Sequence, residues 1–498
     1  MKVRLPEILS KIVYALLALC FLFVLFAAFV GSSYEYKPLI LLGLTLAALI
    51  LMVEFRLTAG KREEFFKKHK RVITAVFLVF MGACQLGFSF PLKYEPLYDI
   101  GAIYNGAIEW VNTGTFASYY EYFGMFHNNY GGIMLFRIWF GIMKIFGVKD
   151  FFIPACILNS ALSVAAIYLT GSAAEKLYGV RGRMTAYFMF LISLPFYFIA
   201  PAFYTDALTM VFPVLIFRLW LEARSRERFK EKAACCVLMG LAAGIGTGIK
   251  ASILIMLIAV VIEGVLYTKP KEWLTLLAAG AAIVLASTFA LGAIMTQHIG
   301  KEYSEEKKIP IVHWIMMGTH WPGGYDGADY EFTKSFTDPD ERAAKVRERL
   351  INQLKATSAG DMLKLEKRKI DVVFCDGTYG LSDCVGCPHG EDNFLHGFLL
   401  NNGTKARNVY KHLTTGVLMA LYALMIASCV FDVFGRTESV RNLAPRLAML
   451  GLFIFFLFWE SRWRYFSNFV PVIILAAAAG LENAAKSVET LTKKRRAK

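Results

Sequence analysis

A few charged side chains stand where long apolar runs begin or end, the positions from which a lipid-borne group and water can both be reached. Asp99, in PLYDIGAIYNGAIEWVNTG, falls in the first turn of a short predicted helix over 96–114. There it would face headgroups and solvent, although a first-turn carboxylate also favours the helix's positive end by a few tenths of a kcal/mol. Asp206, in PAFYTDAL, opens an apolar run just after Pro201, and an N-cap for a helix from 207 would suffice to explain it. Lys250 interrupts GLAAGIGTGIKASILIM, where Gly240, Gly244, Gly246 and Gly248 allow another group to approach closely. A lysine at a membrane edge suits a lipid phosphate, and snorkelling is the plainer alternative. In FLFWESRWRYFSNF, Glu460, Arg462, Arg464 and Tyr465 share one span boundary. Guanidinium binds phosphate through paired hydrogen bonds, or pairs locally with Glu460.

The elements that must position these residues are membrane helices. Of 498 residues 56% are hydrophobic and 19% charged, and the mean hydropathy is +0.48, which excludes an ordinary soluble enzyme. Spans need roughly 20 apolar residues each, and the chain supplies them repeatedly. Alternating strands of the outer-membrane barrel kind are absent, which leaves helices. The net charge of +15 does not indicate nucleic acid, because the basic residues cluster in short loops and at the tail, as the positive-inside rule requires.

Charge fixes an expected topology. The runs 11–31 and 38–54 precede a basic loop with Arg56, Lys61, Arg62, Lys67, Lys68, Lys70 and Arg71, so a hairpin and its cytoplasmic loop are expected over 1–71. The third span, 72–90, leads to an acidic outer loop, 91–130, and a core over 72–296. Basic loops at 175–183 and 222–232 return to the cytoplasm, which places 200–206 outside. The run 131–148 is expected to lie along the interface, because Arg137 and Lys144 are two helical turns apart and share a face. A large extracytoplasmic segment, 297–412, and C-terminal helices over 413–498 with a basic cytoplasmic tail complete the chain. The fold class is thus an all-α polytopic membrane protein with about 12–13 crossings, the number of apolar runs long enough to span. Both termini are expected in the cytoplasm.

Within 297–412, Asp338-Pro339-Asp340-Glu341 signals a helix start and Asp376-Gly377 a turn. His320, Trp321, Tyr325 and Asp326 in HWPGGYDGAD form a polar and aromatic cluster suited to sugars, or a glycine-rich turn without function. Cys375, Cys384 and Cys387 are expected outside, where a disulfide can persist. Cys384 and Cys387 with His389 give a weaker zinc pattern.

Taken in order, these segments resemble the integral-membrane GT-C glycosyltransferases, in particular the bacterial branch related to protein mannosyltransferases and aminoarabinose transferases. The matching stretches are YDIGAIYNGA, FHNNYGG, PAFYTDA, GIGTGIKAS, IMMGTHWPGGYDGAD, CDGTYG and the terminal RYF with its following proline, across roughly 72–484, with the first two spans as an addition ahead. The resemblance implies a GT-C type core that transfers a sugar from a polyprenyl-phosphate donor to an acceptor hydroxyl on a glycan, lipid or protein at the outer face of the cell membrane, by an inverting single displacement. It makes Asp99 the general base and Asp206 a second site carboxylate. Lys250, Arg462, Arg464 and Tyr465 become contacts to the donor phosphate, and His127, Asn128, Asn129, His320, Tyr325 and Asp326 contacts to substrate. No cofactor is required, and a divalent metal is compatible but not needed. Two departures from the family pattern stand out: Tyr98 and Ile100 flank Asp99 where an acidic pair is often found, and His127-Asn128-Asn129 replaces an acidic residue. A surface-polysaccharide ligase or polymerase, and a flippase for lipid-linked sugars, are the alternatives.

Overall fold

A computed structural model describes residues 5–385, 393–401, 403–434 and 443–496, with side chains through Ala485. Among the described residues every regular element is helical, which is the all-α polytopic architecture expected. Seven helices of the described residues are long and apolar enough to cross a membrane: α1 (Leu5–Phe29), α2 (Pro38–Ser89), α6 (Phe152–Ile192), α9 (Phe229–Ile249), α11 (Pro270–Ile299), α19 (Lys405–Phe434) and α21 (Val470–Arg496), the last with its apolar window at Ser467–Ala485. Shorter apolar helices α10 (Leu254–Tyr267) and α20 (Leu443–Phe458) lie between them. The apolar run that Asp206 opens falls on α7 (Thr205–Leu208) and α8 (Val211–Ser225).

Two of the long helices each hold two expected crossings. Gly179, at φ +74°, occupies the left-handed region that glycine enters without cost, and there α6 folds back. A Cβ on Gly171 would strike the Tyr187 ring at 2.3 Å, whereas residues sixteen apart on a straight helix lie about 24 Å apart. In α2 the break is at His69 (φ −106°, ψ 15°). Phe55, before it, stacks on Phe188 at 4.1 Å, and Phe77, beyond it, meets Tyr187 at 4.7 Å. Both arms of α2 therefore flank the same turn of α6.

The basic loops gather at one end, as loops on one side of a membrane must. Glu63 pairs with Arg181 (2.5 Å), Glu175 with Lys70 (2.8 Å) and Arg183 (2.5 Å), and Glu222 with Lys176 (2.8 Å). Buried Arg56 is bidentate on Glu482 at 2.6 and 2.7 Å. The hairpin over 1–71, expected as an addition ahead of the core, is instead built into it: Phe21 packs on Phe374, Tyr422 and Phe453.

The opposite end carries the small elements. α3 (Tyr98–Thr113) stops at Gly114 (φ +83°), where Asn112-Thr113-Gly114 put it. α4 (Tyr120–Met125) and α5 (Tyr130–Ile145) follow. Arg137 and Lys144 do share a face, turned toward α3, with the Arg137 guanidinium 4.7 Å from the Trp110 ring and Lys144 Nζ donating to Val111 O at 2.9 Å. Helices α12 (Lys301–Lys307), α13 (Ile311–Gly318), α14 (Gly327–Lys334), α15 (Pro339–Ala356) and α16 (Ala359–Phe374) build the cap, followed by α17 (Leu381–Cys384) and α18 (Phe394–Leu399). α15 starts as signalled, Asp338 accepting from Glu341 N at 2.7 Å. The segment 297–412 is not all cap, however. From Ile370 to Val385 the chain is buried among the bundle helices, with Phe374 against Phe21, Phe453, Phe456 and Phe466. An apolar α16 end left in water would forfeit roughly 1.5–3 kcal/mol per large side chain, which accounts for the insertion.

Candidate functional site

Asp99 sits at the start of α3, directly after Tyr98, which holds φ +52° with its side chain 92% exposed. Such a conformation in a residue with a Cβ stores local strain. The Asp99 carboxylate accepts from the Tyr122 hydroxyl (2.8 Å) on Oδ1 and the Tyr204 hydroxyl (3.3 Å) on Oδ2. Asn129 completes the set, donating from Nδ2 to the Tyr122 oxygen at 2.6 Å and accepting from the Tyr204 hydroxyl at 3.5 Å. Burial, and then the nearby Asp99 charge, hold both tyrosine hydroxyls well above their ordinary value, so they remain donors.

Asp206 is not the N-cap its position suggested. Tyr204 takes that place without a side-chain cap, and Asp206 lies in the first turn of α7, 1% exposed. A buried carboxylate needs paired charge, and it has two partners: Lys250 Nζ at 2.7 Å and Arg464 Nε at 3.2 Å. Lys250 reaches it because α9 ends at Ile249 and the chain extends at Lys250 (φ −148°, ψ 112°) before α10. The glycines ahead of Lys250 serve helix packing: a Cβ at Gly244 would meet Ser287 Oγ at 2.5 Å. A Cβ on Gly131, at the start of α5, would meet Gly248 O at 2.1 Å, so the strand of chain bearing Asn129 is pressed against the end of α9.

Arg464 also pairs with Asp383, and its guanidinium lies 4.9 Å from the Tyr204 ring and 5.2 Å from that of Tyr465. Lys250 Nζ stands 4.2 Å over the Tyr465 ring, whose hydroxyl donates to Glu460. Burial pushes the Glu460 carboxyl up, while Tyr465, Arg462 and Arg464 pull it down. Tyr204 thus joins the two halves, its hydroxyl on Asp99 and its ring beneath Arg464. Asp99, Asp206, Lys250, Arg464 and Tyr465 converge, with Asn129 beside them.

The CDGTYG stretch fixes Arg464 from behind. Asp376 closes a tight turn by accepting from Thr378 N (2.9 Å), Thr378 Oγ1 (2.8 Å) and Gly380 N (3.2 Å). A Cβ on Gly380, at φ +68°, would lie 2.5 Å from Arg464 Cβ, so only glycine fits. Cys375 and Cys384 are buried free thiols here, not a disulfide pair. Cys387 and His389 lie outside the described residues.

The remaining candidates divide. Tyr325 belongs to the cluster, 49% exposed, with the Arg462 guanidinium 5.6 Å from its ring. Asp326 does not, for it caps α14 by accepting from Ala328 N at 2.7 Å. His320 bonds Asp329, which also pairs with Arg349 at 2.5 Å. His127 bonds Ser304 Oγ at 2.9 Å and stacks on Tyr130, tying α12 to the loop before α5; Asn128 donates to Asn129 Oδ1 at 3.5 Å. The sequence reading missed Tyr122, Tyr204 and Asp383. Only Tyr204 had a signal, its place within PAFYTDAL. Among the described residues no three His, Cys, Asp or Glu side chains gather as a metal site would require. Asp206 is clasped by Lys250 and Arg464, which leaves its charge to those cations and not to a divalent ion.

No curated protein matches the chain. Residues 8–485 match the family model described as conserved hypothetical integral membrane protein, a span that takes in the N-terminal hairpin as well as the site. With its apolar helices and almost its whole length inside that match, the chain belongs to this family of integral membrane proteins.

Proposed function

We propose that this site transfers a sugar from a polyprenyl-phosphate donor to an acceptor hydroxyl at the outer membrane face. The observation that carries the proposal is Tyr204, which joins a solvent-reachable carboxylate to a cluster of cations. Asp99 takes the acceptor proton as the hydroxyl attacks the anomeric carbon. The bond to the donor phosphate breaks on the opposite side, with inversion, and polyprenyl phosphate leaves. General-base assistance contributes about 100- to 10,000-fold, and fixed cations at the departing phosphate supply the electrostatic share.

Lys250 and Arg464 are partly neutralised by Asp206 and Asp383. Arg462 has no carboxylate within ion-pair distance among the described residues, which makes it the cation most able to take the phosphate. Lys250, Arg464 and Tyr465 then shape the field around it. The placement of these charges at one end of the bundle favours transfer over the flippase, which needs a charged path across the midplane.

The test follows labelled polyprenyl-phosphate sugars in membranes holding wild type or Asp99→Asn, in both lipid and acceptor fractions. Transfer by wild type and not by the folded variant supports the assignment. Equal transfer by both removes Asp99 from the mechanism, and lipid crossing without transfer replaces the transferase by a flippase.

A further inference from the structure

The turn between α13 and α14 carries exposed aromatic rings that no packing demand explains. Trp321 is 63% exposed and Tyr325 49% exposed. Each ring is backed on one side by an arginine, Arg368 at 5.1 Å from Trp321 and Arg462 at 5.6 Å from Tyr325. Neither arginine has a carboxylate within ion-pair distance among the described residues. In the same cap Arg349 is paired with Asp329, and Arg342 is spent on the carbonyls of Glu306 and Phe336.

The turn itself is rigid. Ser461 donates to Gly323 O from both its backbone N and its hydroxyl, each at 2.8 Å. Cβ atoms on Gly323 and Gly324 would strike Lys369 at 2.6 Å and Ser461 O at 3.0 Å, so the turn lies flat on its neighbours. Arg368 Nε donates to Pro322 O at 3.1 Å, which fixes the guanidinium against Trp321. Solvent-facing rings held without freedom lose little entropy on binding, and a flat apolar face with a cation beside it suits a pyranose bearing negative charge. Arg462, against Tyr325, stands two residues before Arg464, whose guanidinium lies on the Tyr204 ring, so the Tyr325 end of the platform adjoins the charged cluster.

We infer that Trp321, Tyr325 and Arg368 form a binding platform for an anionic saccharide, the acceptor of the reaction, with sugar faces on the rings and a carboxylate or phosphate substituent on Arg368. The word acceptor rests on the proposed transfer; the binding does not.

The experiment uses the full chain in detergent on a printed array of microbial oligosaccharides, carboxylated, phosphorylated and neutral. Wild type is expected to be retained by acidic oligosaccharides. Trp321→Ala weakens retention about tenfold, the loss of one aromatic stack. Trp321→Phe, which keeps a flat face, restores most of it, and Arg368→Gln removes the preference for acidic over neutral chains. Retention by no oligosaccharide, equal retention by all variants, or equal retention of neutral chains overturns the inference; transfer of label only to protein or lipid that bears no glycan overturns the acceptor role alone. If acidic chains bind through Trp321 while no sugar is transferred, the platform stands and the transferase falls.

Discussion

Asp99 and Asp206 are the same residue type, linked through Tyr204 and Arg464, and they live under opposite conditions. Asp99 is partly exposed and held by neutral donors, the hydroxyls of Tyr122 and Tyr204. Asp206 is buried and held by charge, between Lys250 and Arg464. A carboxylate steadied by hydroxyls keeps its negative charge available to a substrate proton. One clasped by two cations has spent that charge on holding them. In the proposed transfer this difference separates the group that reacts from the group that positions others.

The contrast breaks most sharply at Asp99. Asp99→Asn keeps the Tyr122 hydroxyl on its amide oxygen, while its amide nitrogen donates to the Tyr204 oxygen, whose hydroxyl remains on Asn129 Oδ1, so unfolding by heat or denaturant changes by less than about 1 kcal/mol. Transfer is expected to fall about 100- to 10,000-fold. Asp206→Asn is expected to act the other way, costing roughly 3 kcal/mol in a denaturant titration, because two cations lose their counter-charge in a buried place. Comparable stability loss in both variants would erase the distinction.

Tyr204→Phe sharpens it. The ring stays beneath Arg464 while the hydroxyl leaves Asp99, which costs about 1 kcal/mol of stability. Transfer should drop several-fold with little change in donor KM, whereas Tyr204→Leu, which removes the ring too, should raise donor KM.

The smallest effect concerns a third carboxylate. Asp329 raises the His320 pKa above its ordinary 6.5 through their hydrogen bond. The stability this lends is full below 6.5 and is lost as pH rises through the folded value. The paired shift in Asp329 is downward despite burial, so its share is full above 3.8 and lost as pH falls through the depressed value. His313, held at about 4 by burial, lends stability above 6.5 that disappears between 6.5 and 4. Between pH 6 and 8 the thermal stability of wild type is therefore expected to decline relative to His320→Gln, most plainly above pH 6.5.

The helical bundle and the main charges of the site were legible in the sequence for one reason: a charge at the end of an apolar run has little else to do there. Asp99, Lys250 and Arg464 announced themselves in this way. Tyr122 and Tyr204 did not, because tyrosines at a membrane boundary are ordinary interfacial residues. Asp383 sat in a polar stretch where carboxylates are common, and only the fold, by burying 370–385 in the bundle, brings it to Arg464. For Asp206 the plainer alternative, a helix cap, does not hold, because local position says nothing of two cations arriving from residues 250 and 464. Asp326, judged by its polar and aromatic company, proved to be a cap.

The meeting of Gly131 with Gly248 O carries a consequence for descent. One segment presents Asn129 to Asp99's tyrosines, and the other delivers Lys250 to Asp206. With no room for a methyl between them, neither can drift while the other stays. Across related chains position 131 should therefore stay glycine wherever the Gly248 carbonyl keeps this approach, so that the two halves of the site are inherited as a single unit.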